Sequence, residues 1–235
     1  MTTTTLHYLY DPLCGWCYAS APLVKAAREV ISVIPHGGGM MSGAYRQNVT
    51  AQLREFVKPL DQRIAQVSGQ PFGDAYLNGL LRDTTAVFDS GPPTAAILAA
   101  EAVAGRGLDM LAQLQIAHYS EGRRIADRAV LIDVAKGLGL DADTFDQALD
   151  HQFGTVLQAH FLETRALMAR IGAQGFPSFA LETNGLLQFL DVLPYLGRPQ
   201  DFQHWLRGLT NTSAVTNAAE DVVEALRCGT NGCAI

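Results

Sequence analysis

Nowhere in these 235 residues is there an unbroken apolar run of about 18, the length a helix needs to cross a bilayer. No stripe of Lys or Arg occurs either. The 17 basic residues are outnumbered by 23 acidic ones, the formal net charge is -6, and aromatic residues make up only 8%. Nucleic acid is therefore not expected as the main partner, and neither is a membrane. The opening Met1-Thr2-Thr3-Thr4-Thr5 has neither a basic start nor an apolar signal core, which leads to the expectation of a cytoplasmic protein. There is no internal repeat, and no low-complexity tract beyond those threonines. Cysteine is scarce: Cys14, Cys17, Cys228 and Cys233 are the full set. Four are too few for a disulfide framework in a cytosolic chain of this length, which leaves catalysis or metal binding.

What is there is an apolar content of 48%, enough to bury a core as one domain or one domain with an insertion. Two of the cysteines form Cys14-Gly15-Trp16-Cys17. This run follows the apolar stretch Leu6–Tyr10 almost directly and opens a segment with helical spacing, Tyr18 to Val30. A strand feeding a Cys-x-x-Cys at a helix start suits thiol–disulfide exchange. The two thiols sit one turn apart, and the first lies where unpaired N–H groups and the helix dipole favour a thiolate. Gly15-Trp16 puts no cation beside the sulfur, so only a mild acidification of Cys14 is expected, and Trp16 offers an aromatic surface to substrate.

The pattern along the chain reads β-α-β, a helical block, β-β-α and a tail. Leu6–Tyr10 and Ile31–Ile34 read as parallel strands joined by the first helix, with Pro35-His36-Gly37-Gly38-Gly39 stopping the second. From Met41 to Ala173 the strand pattern disappears. Helical spacing covers 48–67, 93–104, 108–119, 129–138, 144–149 and 155–171, with Leu157, Phe161, Leu162, Met168 and Ile171 on one face of the last. Pro92-Pro93 opens one helix, Gly105 and Gly139 close two others, and Asp141 or Asp143 offers a cap. Strands resume at Phe176–Leu181 and Leu186–Leu190 around Asn184-Gly185, a strong hairpin signal. A helix near Phe202–Leu209 follows, then a small polar linker, 211–214, a short helical piece, 218–227, and the Cys228-x4-Cys233 tail.

This order, with Cys-x-x-Cys at the first helix and Gly175-Phe176-Pro177 opening the third strand, resembles the DsbA-like branch of the thioredoxin superfamily. The run Asp11-Pro12-Leu13-Cys14-Gly15-Trp16-Cys17-Tyr18, and Gly37-Gly38-Gly39-Met40 after the second strand, are similar to its cytoplasmic members, the FrnE-like and protein-disulfide isomerase groups. The resemblance implies an α/β, thioredoxin-like fold with an inserted α-helical domain. The expected parts are 1–42 and 173–210 for the thioredoxin-like domain, 43–172 for the insertion and 211–235 for the linker and tail. It implies that Cys14 is the nucleophile and Cys17 the resolving thiol. It also implies that Pro177, after Phe176, is cis and faces the pair, with Gly15 and Trp16 supporting it. Thioredoxin-like proteins often carry a buried acid six residues before the first cysteine as proton acceptor. That position is Tyr8 here, so Asp11, a water or a residue of the helical block is left to take the role.

The function expected is disulfide exchange with protein or low-molecular-weight thiol substrates, with no organic cofactor and no metal. Two other readings stay open. One is a glutathione-dependent transferase or isomerase of the kappa-class or 2-hydroxychromene-2-carboxylate isomerase type, which usually presents Ser in place of Cys14. The other is a Cys-based metal-binding protein, in which Cys14/Cys17 and Cys228/Cys233 together make a four-sulfur site. Cys228 and Cys233 are also candidates for a second redox pair. His36 beside the glycines is a candidate anion surface. His118, His151 and His160 read as helix-face residues, and Arg123, Arg124 and Arg128 as a solvated cluster.

Overall fold

The structure, a computed structural model, describes residues 4–210. Strand β1 (Thr4–Tyr10) runs in the interior of a sheet ordered β2-β1-β5-β6. It pairs in parallel with β2 (Ser32–Gly37) and antiparallel with β5 (Ser178–Thr183), which in turn pairs antiparallel with β6 (Leu186–Leu190). Leu6, Tyr8, Leu9 and Tyr10 are buried almost completely, as a strand flanked on both edges and covered on both faces must be. The β5–β6 turn is Asn184-Gly185, both with positive φ.

Helix α1 (Gly15–Arg28) makes the crossover from β1 to β2. Pro22 lies inside it and cannot donate to the Tyr18 carbonyl. The amide of Gln70 supplies that bond instead, at 3.0 Å. The helical block thereby holds α1 together where its own ladder is broken.

Between β2 and β5 run α2 (Ala51–Ser68), α3 (Gly91–Ala104), α4 (Gly107–Tyr119), α5 (Arg128–Gly137), α6 (Ala142–Gln152) and α7 (Thr155–Arg170). Thr50 caps α2 by accepting from Leu53 N, and Asp141 caps α6 by accepting from Thr144 N. The apolar core runs without a break from the sheet into this block, through residues such as Tyr18, Ile64, Tyr119 and Leu114. A last helix, α8, covers 199–210 and buries Phe202 and Leu206.

Several expectations need correction. β2 continues to Gly37, because Pro35 stands on an edge strand, where its missing N–H leaves no neighbour unpaired. The block holds a two-stranded ladder, β3 (Gln47–Asn48) with β4 (Val87–Phe88), as well as a π-helical turn, Ala75–Gly79. Leu162 faces solvent, whereas Leu157 and Phe161 are buried. His118 is buried among aromatic rings and His160 bonds to β2, so neither is a plain helix-face residue. The three arginines do not form one solvated cluster. Arg123 pairs with Asp133, Arg124 with Asp83, and Arg128 with Asp146 and Asp150, tying separate elements together.

Candidate active site

Cys14 is the N-cap of α1, and its carbonyl accepts the first helical bonds from Cys17 N (3.0 Å) and Tyr18 N (3.1 Å). Both cysteines carry free thiols. Cys14 is 8% exposed and Cys17 not at all. The Cys14 thiol points across to the Phe176 carbonyl at 3.4 Å, and the Phe176–Pro177 peptide is cis. Cys14, Gly15, Trp16, Cys17, Phe176 and Pro177 thus gather at one end of β1 and β5. Cys228 and Cys233, the linker and the short helical piece lie outside the described residues.

The environment makes the two sulfurs unequal. Burial, with the adjacent Cys14 sulfur adding to it, pushes the Cys17 thiol well above its ordinary range. The backbone N–H of Asp11 approaches the Cys17 sulfur at 3.5 Å. Tyr8 donates its hydroxyl to the Cys17 carbonyl at 3.2 Å, so it binds the first turn of α1 to β1 and presents no carboxylate there.

Asp11 is fully buried and holds three segments in place. Its Oδ1 accepts from Leu13 N (2.9 Å) and Ser90 Oγ (2.8 Å), and its Oδ2 accepts from Met40 N (2.6 Å). Burial outweighs these donors and raises its carboxyl to about 6. A second buried carboxyl, Asp61 on α2, accepts from the Tyr76 hydroxyl at 2.8 Å and is raised to about 6 by burial. Sequence reading missed Asp61, because an acidic residue on an amphipathic helix gives no sign of facing inward.

The glycine run after β2 is a floor for the site. A Cβ on Gly38 would stand 1.8 Å from Phe176 Cζ, so that ring rests on bare backbone. His160 Nε2 accepts from Gly37 N at 2.9 Å, which fixes this end of β2 against α7. His36 is half-buried and engaged elsewhere. Its Nε2 meets His7 Nδ1 at 2.9 Å, and His7 Nε2 meets Glu182 Oε2 at 2.7 Å. Burial, followed by the neighbouring His7 and His160, holds His36 down at about 4, a neutral ring and so a poor anion anchor.

Beside the Phe176 ring lies an open cleft of about 260 Å³ lined by Gly38, Gly39, Met40, Tyr45, Arg165, Met168 and Phe176. Its walls are mostly apolar, and Arg165, exposed at the rim, is its cation. Among the described residues no group of three or more His, Cys, Asp or Glu is arranged to hold a metal, and no helix is long and apolar enough to cross a membrane.

Residues 5–193 match the DSBA-like thioredoxin domain. Among solved structures, the cytosolic disulfide reductase DsbM from Pseudomonas aeruginosa is 56% identical over 88% of this chain and 99% of that one, with a TM-score of 0.84. A structure of the same protein with GSH gives a TM-score of 0.82 at the same identity and coverage. A 2-hydroxychromene-2-carboxylate isomerase aligns over 92% of this chain and 98% of its own at 14% identity and a TM-score of 0.56, a likeness of fold alone. No curated protein matches this chain.

Proposed function

Because this chain belongs to the DSBA-like thioredoxin domain family and is a thiol–disulfide oxidoreductase, we propose that it works as a cytosolic, glutathione-linked disulfide reductase, with Cys14 attacking and Cys17 resolving. The observation that carries the roles is the asymmetry of the two thiols. Cys14 stands at the helix start with an edge open to solvent and faces the Phe176 carbonyl, whereas Cys17 is sealed and its thiol is hard to ionise.

In the reducing direction the Cys14 thiolate attacks one sulfur of a substrate disulfide. A Cys14–substrate disulfide forms, the substrate S–S bond breaks, and the other substrate sulfur leaves as a thiolate that takes up a proton. Cys17 then loses its proton and attacks Cys14 Sγ. This expels the second substrate thiolate and leaves a Cys14–Cys17 disulfide, so two electrons have passed to the substrate. Two glutathione thiols restore the dithiol. The first opens the disulfide to a Cys14–glutathione mixed disulfide, and the second displaces Cys14 and leaves as oxidised glutathione.

The cleft beside Phe176 suits glutathione or a short peptide segment carrying a carboxylate, with Arg165 as its anchor and apolar walls for the rest. The position of the Phe176 carbonyl beside the Cys14 thiol supports pairing of this backbone with an extended substrate segment.

The test is a pair of variants assayed with glutathione and a disulfide substrate. Cys17→Ser is expected to accumulate a Cys14–glutathione adduct visible by intact mass, and Cys14→Ser to lose exchange. Retained turnover in Cys14→Ser would overturn the assignment.

A further inference from the structure

Gly15 separates the two cysteines by its chain position, and its Cα faces α2 rather than solvent. A Cβ built there would lie 2.9 Å from Ile64 Cδ1 and 3.0 Å from Asp61 Oδ1. The Asp61 carboxylate therefore stands over the first residue of α1, next to the cap that carries the Cys14 sulfur. It is only 5% exposed, and its orientation is fixed by Tyr76, whose hydroxyl donates to Oδ2. Tyr76 is itself locked in a ring cluster with Phe72, His118 and Tyr119. Burial and the adjacent Asp61 raise the Tyr76 hydroxyl far above its ordinary range, so it remains a donor at every working pH.

We propose that Asp61 is a positioning residue that opposes the Cys14 thiolate and so biases the Cys14–Cys17 pair toward giving up electrons. A helix N-terminus carries roughly half a positive charge, and a thiolate at the cap is stabilised by it. A carboxylate seated over Gly15 opposes that positive end with its own negative charge. The reduced form loses stability when its thiolate does, whereas the disulfide carries no charge to lose. The pair is thereby made a better reductant, the direction assigned above. The inference rests on Cys14 being the attacking thiol.

The effect switches with the charge on Asp61, which burial has moved up to about 6 while the Tyr76 bond opposes that rise. The titratable groups that interact with this carboxyl are Tyr76 of the π-helical turn and Tyr119 of α4; Tyr119 in turn interacts with Cys14 and Cys17, and the buried ring of His118 lies behind Tyr76.

The experiment measures the equilibrium of the full chain with reduced and oxidised glutathione as a function of pH, together with the ultraviolet absorbance of the thiolate. Asp61→Asn keeps the volume and removes the charge. At neutral pH it is expected to shift the equilibrium about tenfold toward the dithiol, close to 30 mV more oxidising, and to bring in the thiolate signal at lower pH. The difference from wild type should close as pH falls through about 6, where the wild-type carboxyl becomes neutral. Tyr76→Phe removes the bond that favours the carboxylate. It should match wild type at high and low pH and be more oxidising only around and just above the wild-type midpoint. That arm carries the test alone if Asp61→Asn does not fold.

An Asp61→Asn equilibrium within twofold of wild type at neutral pH overturns the proposal. So does a difference that persists unchanged below the midpoint, because a repacked site and not a charge would then be responsible. Failure of the underlying reading looks different: exchange would survive in Cys14→Ser whatever Asp61 does.

Discussion

The tip of the Phe176 ring lies against the backbone of Gly38, so close that a single added carbon on Gly38 would fall 1.8 Å from its Cζ. The same Phe176 offers its carbonyl to the Cys14 thiol. Gly38→Ala must therefore push the ring away and disturb the strand start that faces the sulfur. Overpacking of this kind costs about 1–3 kcal/mol. We expect a lower denaturant midpoint and a roughly tenfold slower exchange, read by denaturant titration and by a coupled glutathione assay. Unchanged values for both would mean that the ring is free to move aside at no cost.

Arg165 is the cation of the cleft beside Phe176. Reversing its charge in Arg165→Glu places a carboxylate where a carboxylate-bearing substrate is to bind. The expected result is a rise in KM for glutathione of about tenfold with kcat nearly constant, since the site is exposed and charge pairs there are worth about 1 kcal/mol. Steady-state kinetics at two salt concentrations checks it, because the loss should shrink as salt rises.

His118 is packed among Tyr76, Phe88 and Tyr119, and its Nδ1 has no hydrogen-bond partner among the described residues. Burial depresses it from 6.5 to about 3. A depressed folded-state value means that its share of stability is fully present above 6.5 and is lost as pH falls toward 3. Asp11 and Asp61 act with the opposite sign: their raised carboxyls stabilise the fold below the ordinary Asp value, and that share is lost as pH rises through about 6. His118→Phe isolates the first effect. Relative to wild type, the variant should gain roughly 3 kcal/mol between about pH 7 and pH 4, measured by chemical denaturation.

Asp11 satisfies three donors at once, from Leu13, Met40 and Ser90. Asp11→Ala leaves the buried Leu13 and Ser90 donors without that acceptor, at roughly 1–3 kcal/mol for each group, partly offset by no longer burying a carboxylate. A net loss of about 3 kcal/mol is expected. Hydrogen exchange should locate the loosening at the Met40 amide and at the start of α3.

Much of this architecture can be read from local pattern. The Cys-x-x-Cys between a strand and a helix, the hairpin at Asn184-Gly185 and the run of helices each rest on neighbours within a few positions. What escapes is set by distance along the chain. Gly37 and His160 meet across 123 residues, and His7 and Glu182 across 175. Neither Gly37 nor His160 sits in a pattern that names the other. The β3–β4 ladder has two residues per strand, too few for any period to show. Pro35 reads as a stop because proline removes a donor, yet on an edge that donor would have faced outward. Asp61 looks like one more polar residue of α2, and only the shape of Gly15 opposite makes room for it.

Cys14 and Phe176 stand 162 residues apart in sequence. A ribosome adding 5–20 residues each second leaves the cysteine pair without that neighbour for about 10–30 s. Through this interval β5 does not exist, β1 has no partner on that side, and the two thiols are exposed to whatever oxidant the nascent chain meets. A disulfide formed then would be an accident of synthesis rather than catalysis. The catalyst comes into being only when β5 pairs with β1, the first strand made.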